Sequence, residues 1–288
     1  NNKLNDDARL IIENGKKLTV SGDVFVTSLN RNKTTDIWVK GTHSILIITG
    51  DLTIERTKEN VQTASNQILV DGTSLLQVKG VVAITMQNSA SGFPGEIIVL
   101  NNKAQFRCDS DLLLRMAKIN DFIVTLNQDA SLKVKGNLKT DIRAGRNFDF
   151  RIKDNATVNV TGDFLLTQIG GEQVTISAEN TTYGVKQFYV NGNFTILHET
   201  GDHLTIQALQ NGEIFVKGNF QVDWTGSTNC WTELKLATTG QGTIAVNGSM
   251  NLNMTDPNDG KLVVDLNDQS NISVGFDDGK LLQSANFN

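Results

Sequence analysis

The segment VNVTGDFLL, residues 158–166, alternates apolar and polar side chains on both sides of Gly162. Its apolar positions are Val158 and Val160 before the glycine, and Phe164 and Leu166 after it. Alternation with a period of two is typical of a half-buried β-strand. A glycine at this inward position indicates a corner of the chain, where a Cβ would crowd the interior or forbid the backbone angle. The segment therefore predicts two short strands that meet at a glycine corner.

The same pattern recurs along the whole chain of 288 residues. Eight copies carry glycine at the centre, and the spacing assigns two further copies, AQFRCDSDL (104–112) and ISVGFDDGK (272–280). The predicted central positions, called the slots from here on, are Gly22, Gly50, Gly80, Cys108, Gly136, Gly162, Gly192, Gly218, Gly248 and Phe276. Adjacent slots are 26 to 30 residues apart, so the period is about 28 residues. Phenylalanine is not small, so we expect the final copy to deviate.

A second alternating run precedes most copies, as in Phe148–Ile152, and a polar turn such as Asp154–Asn155 follows it. Each repeat then holds three short strands, with too few apolar residues to form a core alone, so the copies must stack. We predict a single all-β domain over residues 1–288, a parallel β-solenoid of about ten coils. Antiparallel hairpins are the competing fold, because Asn-Gly turns favour them. Helical periodicity is limited to one turn at Leu112–Ala117.

Acidic or amide side chains follow eight of the ten slots. These residues are Asp23, Asp51, Asp109, Asn137, Asp163, Asn193, Asn219 and Asp277. Such side chains bond local backbone at corners, and a stacked ladder of carboxylates that binds cations is the functional alternative. The cations that immediately precede a slot are Lys79, Arg107, Lys135 and Lys217, and we interpret them as charges that offset this ladder on a solvated face.

Composition excludes several classes of function as first hypotheses. The formal net charge is −5 and the pI about 5.3, which disfavours binding to nucleic acid or to an anionic membrane surface. No apolar run reaches the roughly 18–20 residues of a membrane-spanning helix. We therefore expect neither a nucleic-acid partner nor insertion into a membrane.

The residues that could carry chemistry are few, and we predict no catalytic, cofactor-binding or metal-binding site. The histidines are His43, His198 and His203. His198, Glu199, Asp202 and His203 contain metal-ligand types, but we interpret this segment as a solvated polar loop. Asp256–Gly260 resembles a calcium loop with imperfect spacing, so a simple turn is the prediction.

Polysaccharide-degrading enzymes place acidic and basic residues together. Arg107, Asp109, Asp111 and Arg115 are close in sequence and form the enzyme hypothesis. The aromatic residues that could stack on a sugar if exposed are Trp38, Trp224, Trp231, Tyr183 and Tyr189. Trp231 is the better surface candidate, whereas Trp38 fits a core position equally well.

The two cysteines test the solenoid. Cys108 and Cys230 should lie about four coils apart, roughly 19 Å, whereas a disulfide spans about 7 Å at most between Cα atoms. We therefore predict no internal disulfide, with Cys108 buried and Cys230 available for an external link.

Repeats of the form V-x-G-[DN]-[FL]-x-[VIL], as in VTGDFLL (160–166) and VKGNFQV (216–222), resemble the β-helical passenger and adhesin repeats of autotransporters and filamentous-haemagglutinin-type proteins. The resemblance implies a secreted or surface-displayed prokaryotic protein. Neither Asn1–Ala8 nor Leu281–Asn288 reads as a capping helix, which leaves two explanations. Either the chain is a fragment of a longer solenoid, or its copies self-associate through uncapped ends or neighbouring coils. The function predicted is that of a rigid extracellular structural or adhesive protein, a spacer or filament, tube or sheath subunit, with surface glycans as further partners. A polysaccharide-active enzyme or carbohydrate-binding β-helix is the alternative.

Overall fold

The computed structural model describes most of the chain. The described residues are 2–5, 8–28, 36–56, 68–87, 95–117, 119–182, 186–225, 233–254, 261–267, 271–274, 276–277, 280–281 and 286–287. The sequence also predicts loops of variable length between coils, such as Thr57–Ser65 and Thr225–Cys230, and apart from Thr225 both lie outside the described residues. Among the described residues no helix is long and apolar enough to cross a bilayer.

All regular structure in the described residues is β-strand. The first eleven strands are β1 (Asn2–Asn5), β2 (Arg9–Ile12), β3 (Lys17–Val20), β4 (Val24–Ser28), β5 (Asp36–Val39), β6 (Ile45–Ile48), β7 (Leu52–Arg56), β8 (Ile68–Val70), β9 (Leu75–Val78), β10 (Val82–Met86) and β11 (Glu96–Leu100). The next eleven are β12 (Gln105–Cys108), β13 (Leu112–Met116), β14 (Ile119–Leu126), β15 (Ser131–Val134), β16 (Leu138–Ile142), β17 (Gly145–Lys153), β18 (Thr157–Val160), β19 (Phe164–Gln168), β20 (Gln173–Asn180), β21 (Phe188–Val190) and β22 (Phe194–His198). The remainder are β23 (His203–Gln210), β24 (Glu213–Val216), β25 (Phe220–Trp224), β26 (Glu233–Thr238), β27 (Thr243–Val246), β28 (Met250–Met254), β29 (Lys261–Leu266), β30 (Asn271–Val274), β31 (Phe276–Asp277), β32 (Lys280–Leu281) and β33 (Asn286–Phe287).

These strands form three long sheets, because every third strand pairs with its equivalent in the next coil. Sheet A has 11 strands (β1, β4, β7 and so on to β28, then β33), sheet B has 10 (β2, β5 and so on to β29), and sheet C has 10 (β3, β6 and so on to β30). All pairs inside these sheets are parallel, as in β16 with β19. The predicted parallel β-solenoid with three strands per coil is confirmed, and the antiparallel hairpin alternative is wrong. The predicted helical turn at Leu112–Ala117 is also wrong, since strand β13 occupies most of it.

Alternate residues of each strand point into one continuous apolar core. Val158 and Val160 before the Gly162 corner and Phe164 and Leu166 after it are all fully buried. Most buried residues are aliphatic or aromatic, so each coil shares its apolar interior with the coils on either side. Burial of such side chains is the main stabilising term, at roughly 25 cal/mol per Å² of apolar surface.

Tight turns connect sheet B to sheet C. Asn14 and Gly15 have φ angles of 56° and 71°, and the backbone N–H of Lys16 donates to the carbonyl oxygen of Glu13 at 3.2 Å. Successive positive φ angles favour asparagine and glycine. The turns predicted from such polar pairs are therefore confirmed at the corner that follows sheet B.

The slot of the fourth coil is Ser110, so the assignment of Cys108 to this slot is wrong. Cys108 pairs with Val78 and Val134, each of which lies two residues before a slot. The backbone N–H of Gly136 donates to the carbonyl oxygen of Ser110 at 3.1 Å. The register follows the inward apolar column, because this alignment places Leu112 two residues after the slot, where it is fully buried. Equal spacing was misleading because coil length varies.

Cys108 itself is buried and unbridged. Burial, with a smaller effect from the charge of Asp109, raises the pKa of its thiol well above the ordinary value. The prediction of a buried Cys108 is confirmed, and Cys230 lies outside the described residues. In the last coil β31 pairs antiparallel with β32, so the deviation expected at Phe276 is present in the backbone.

The acidic and amide residues after the slots form an axial hydrogen-bond ladder. In each step the side-chain Oδ1 of one coil accepts from the backbone N–H of the next coil. The donor–acceptor pairs are Asp51 with Asp23 (2.9 Å), Val81 with Asp51 (2.7 Å), Asn137 with Asp111 (2.8 Å), Asp163 with Asn137 (2.8 Å), Asn193 with Asp163 (2.8 Å), Asn219 with Asn193 (2.9 Å) and Ser249 with Asn219 (2.9 Å). Corner bonding is therefore confirmed, with the correction that Asp111 rather than Asp109 belongs to this column.

This ladder explains why the slots hold glycine. A Cβ on Gly162 would lie 2.7 Å from the carbonyl oxygen of Gly136 and closer still to Oδ1 of Asn137. We expected crowding of the interior or a special φ angle, whereas the obstruction is the side chain and backbone of the preceding coil. Among the glycine slots only Gly22 has a positive φ, at 88°.

The two slots without glycine support the same explanation. In the coil that precedes Ser110, the ladder position is occupied by Val81. In the coil that precedes Phe276, it is occupied by Ser249. The seven glycine slots that follow an acidic or amide ladder residue are Gly50, Gly80, Gly136, Gly162, Gly192, Gly218 and Gly248. Glycine is therefore present where the preceding coil carries an Asx side chain.

Candidate functional site

The outer face of sheet B carries a polar trough of about 470 Å³. Its floor comes from two neighbouring strands with short or neutral side chains, which are Gln173, Thr175 and Ser177 on β20 and Thr205 and Gln207 on β23. The walls come from the strands on either side, with Asp149, Arg151 and Lys153 on β17 and Lys235 on β26. The trough therefore crosses the solenoid along the strand direction and is two coils wide at its floor.

Parallel register brings these residues together. Arg151, Ser177 and Gln207 pair as direct neighbours in successive strands. Thr175 and Thr205, two residues before Ser177 and Gln207 on the same strands, pair with each other in the same way. The charged walls are about three strand spacings apart, roughly 14 Å between backbones. That width suits an extended ligand lying between the walls, along the strand direction.

The charged side chains of the walls are held by ion pairs. The Arg151 guanidinium contacts Oδ2 of Asp149 at 2.5 Å, and Lys235 Nζ contacts Oδ2 of Asp265 at 3.0 Å. The hydrogen bond from Lys235, together with its charge and a hydrogen bond from Asn267, outweighs desolvation and lowers the pKa of Asp265. Asp265 therefore stays ionised and holds the ammonium group of Lys235 in place.

The sequence-predicted cluster of Arg107, Asp109, Asp111 and Arg115 does not form one site. Arg107 faces outward on sheet C, and Arg115 faces outward on sheet A, where it pairs with Asp141 at 2.9 Å. Asp109 and Asp111 lie at the corner between these sheets. Because the slot of the fourth coil is Ser110, the residue that immediately precedes it is Asp109 and not Arg107.

Both carboxylates of this cluster are engaged in structural contacts. Asp109 accepts from Lys135 at 2.7 Å and from Gln77 at 2.7 Å, and the hydrogen bond from Lys135 is the largest cause of its lowered pKa. Burial opposes ionisation of Asp111, but hydrogen bonds from the Asn137 backbone and from Lys139 outweigh it, so its pKa is lowered as well. A raised pKa, as a general acid needs, is absent from both.

The sequence predicts a solvated polar loop at residues 198–203, but the side chain of His198 is buried. It ends β22 at an inward position, is 0 % exposed, and stacks on Trp224 with ring centroids 4.2 Å apart. Within the described part of the chain neither ring nitrogen has a hydrogen-bond partner, and the same holds for the side chain of Gln168 in the preceding coil. His203 is exposed on sheet B, so the two histidines of this segment do not converge. His198 is buried because inward-facing positions alternate along β22 from Phe194 to His198, the sixth residue after the slot Gly192.

We predict that His198 makes the solenoid sensitive to acid. Burial lowers the pKa of His198 from 6.5 to about 4. The folded state therefore binds this proton less tightly than the unfolded chain, and stability should be lost as the pH falls from about 6.5 to about 4. The full effect is roughly 3 kcal/mol at 1.36 kcal/mol per pKa unit.

Urea unfolding over that pH range, for the natural chain and for His198→Phe, measures this effect. The phenylalanine variant should lose less stability between pH 7 and pH 4.5, because it keeps a ring against Trp224 without a titrating group. His203→Gln is the matched control and should lose as much stability over this pH range as the natural chain, because it leaves the buried His198 unchanged. Equal acid sensitivity in the His198→Phe variant would contradict the prediction.

The aromatic candidates have different environments. Trp224 is fully buried, whereas Trp38 faces outward on sheet B with the Arg9 guanidinium 5.0 Å and Lys40 Nζ 5.4 Å from its ring centroid. Tyr183 and Trp231 lie outside the described residues.

Tyr189 is half-buried on the outer face of sheet C and stacks on Phe215 in the next coil at 5.2 Å. Lys186 Nζ lies 3.9 Å from the centroid of the Phe215 ring. Phe215 was missed by sequence reasoning, although its alternation with buried Ile214 and Val216 gives its outward position.

The metal hypotheses gain no support from this geometry. Within the described ranges no three acidic, histidine or cysteine side chains form a group that could hold an ion. In the ladder column the Oδ1 atoms are occupied by backbone N–H groups, as described above. Asp256–Gly260 lies outside the described residues, and His43 is exposed at a turn with a φ angle of 58°.

Together the fold and the trough define a parallel β-solenoid with a polar trough on sheet B that is lined by hydroxyl, amide and charged groups. Comparisons with protein-family models, curated proteins and solved structures gave no match.

Proposed function

We propose that this chain is a non-enzymatic extracellular structural or adhesive protein. Its solenoid would serve as a rigid surface spacer or as a subunit of a filament, tube or sheath. Copies would associate through the solenoid ends or through neighbouring coils, and surface glycans would be additional partners. The extracellular location is proposed from the resemblance of the V-x-G-[DN]-[FL] repeat.

The observation that carries this proposal is the axial ladder at the glycine corner. Each ladder step adds a side-chain hydrogen bond to the backbone bonds between coils, such as Gly192 N–H to Gly162 carbonyl oxygen at 3.0 Å. A chain that binds each coil to the next in three sheets and at a corner resists bending and shear along its axis. Such stiffness suits a spacer or an assembly subunit.

Paired carboxylates on the outer faces support a non-enzymatic role. Asp109, Asp141 and Asp149 each contact a cation within 3.0 Å. The hydrogen bond from Lys135 lowers the pKa of Asp109, so this carboxylate is poorly suited to donate a proton at neutral pH.

A carbohydrate-binding or polysaccharide-active β-helix is the second candidate function, and the trough on sheet B favours it. The trough places hydroxyl, amide and charged groups on one open surface, which is the arrangement that recognises sugar hydroxyls. The binding form of this candidate is compatible with an adhesive spacer, whereas the enzymatic form is not.

Two measurements on the purified chain test the proposal. Small-angle scattering and electron microscopy should show rods or ordered polymers of rods, and incubation with a panel of polysaccharides should release no new sugar ends. Release of sugar ends that disappears in the Asp149→Asn variant would overturn the proposal and establish the enzyme. Asp71→Asn, an exchange of the same kind outside the trough, is the control for contaminating activity.

A further inference from the structure

We infer that the trough on sheet B binds a carboxylate-bearing polysaccharide that lies along the strand direction over β20 and β23. This inference deepens the adhesive form of the proposed function and depends on it. It names the ligand class from the chemistry and spacing of the trough itself.

The lining of the trough selects a ligand that binds through hydrogen bonds and charge. The floor residues Thr175, Ser177, Thr205 and Gln207 present hydroxyl and amide groups, and none of the lining residues is apolar. A protein partner is usually anchored by aromatic or aliphatic side chains in pockets, which this surface lacks. Sugar hydroxyls, in contrast, both donate to and accept from such groups.

Charge then selects an acidic glycan over a neutral one. The lining contains the cations Arg151, Lys153 and Lys235 and a single carboxylate, Asp149, although the chain as a whole has a net charge of −5. Asp265, which binds Lys235, does not line the trough. The positive lining is therefore a local departure from the acidic average of the chain.

The positions of the cations suit a ligand with repeated carboxylates. Arg151 and Lys153 lie two residues apart along one wall, about 7 Å at the backbone, and Lys235 lies on the opposite wall. The contact with Asp149 uses Nη2 of Arg151, and a guanidinium has five N–H donors in a planar fork that matches a carboxylate. Donors therefore remain for a ligand beside the internal ion pair.

Binding of alginate oligosaccharides to the purified chain, measured by calorimetry, tests the inference. The double variant Arg151→Gln with Lys235→Gln should weaken binding about tenfold or more, because it removes charge-assisted hydrogen bonds from both walls. Thr205→Trp should weaken binding similarly by filling the floor while leaving all charges in place. Lys133→Gln, which removes an exposed cation on sheet C, is the matched control and should leave affinity within about twofold.

Dextran, a neutral glycan, and dextran sulfate complete the test. Alginate should bind more tightly than either, and its affinity should fall as salt rises from about 50 mM to about 300 mM. Equal binding of dextran, preference for dextran sulfate, or unchanged affinity in both trough variants would overturn the assignment. If the chain forms rods, releases no sugar ends and binds no alginate, only the ligand class is overturned. If it releases sugar ends, the proposed function is overturned.

Discussion

Replacement of Gly162 by valine should destabilise the solenoid by about 4 kcal/mol. The new Cβ would collide with the carbonyl oxygen of Gly136 and with Oδ1 of Asn137, which accepts from the backbone of Asp163 at 2.8 Å. Because backbone lies in the way, the overpacking cost should be near the upper end of the usual range, roughly 3 kcal/mol, and loss of this exposed hydrogen bond adds about 1 kcal/mol. The midpoint of urea unfolding, followed by circular dichroism, should fall accordingly. Thr161→Val, at the exposed neighbouring position, should change stability by less than about 0.5 kcal/mol.

A double-mutant cycle separates the ladder side chain from general crowding. Gly162→Ser should cost less in a chain that also carries Asn137→Val, because this pair reproduces Ser110 and Val81, the natural pair of the fourth coil. A coupling of about 1 kcal/mol or more is expected for groups in direct contact. Additive effects would show that the Asx side chain does not determine which residue the slot accepts.

Phe194→Ala should also destabilise the protein by about 4 kcal/mol. Phe194 is fully buried and contacts the rings of Phe164, Phe220 and Phe188, with centroid distances of 4.4, 4.9 and 5.9 Å. Truncation removes apolar burial from three coils at once and leaves a cavity, for which losses of roughly 3–5 kcal/mol are typical. Urea unfolding with hydrogen exchange at β19, β22 and β25 measures the loss and its location.

Two control variants define what the aromatic column contributes. Phe194→Leu keeps most of the volume and should cost less than about 1.5 kcal/mol. Phe215→Ala removes a half-buried ring from the outer face and should cost less than Phe194→Ala. Similar losses for Phe215→Ala and Phe194→Ala would contradict a stability dominated by the shared interior.

Local patterns predicted the architecture because the solenoid repeats a local solution. The alternation around Gly162 gave the inward residues, and the polar pairs such as Asn14–Gly15 gave the turns between sheets B and C. The parallel pairing followed from the number of apolar residues per repeat. Each of these properties depends on a few neighbouring residues and on the coil directly below.

Register and outer-face chemistry were harder to predict. Cys108 was placed in the slot by equal spacing, although Ser110 fits both the inward apolar column and the ladder column. The polar neighbours Glu199 and Asp202 predict a loop at His198, whereas its spacing of four residues from the buried Phe194 along the same strand places it inside.

The trough was missed because it is defined only across coils. Asp149, Thr175, Thr205 and Lys235 are 26 to 30 residues apart in sequence and become neighbours through pairing in sheet B. Loops of unequal length separate these strands, so spacing alone does not align them. The register of the inward apolar residues is the signal that would have placed them in one column.

Distances between spin labels at equivalent corners test the central claim most directly. In a chain with Cys108→Val and Cys230→Ser, labels replace pairs of exposed residues that immediately precede slots, first Lys79 with Lys217 and then Ser21 with Lys217. These pairs are five and seven steps apart in sheet C, so separations of about 24 Å and about 34 Å between backbones are predicted. Electron-electron resonance distances that increase in this proportion would support one stacked column of corners. Distances unrelated to the number of coils would contradict the stacked column and the trough built on it.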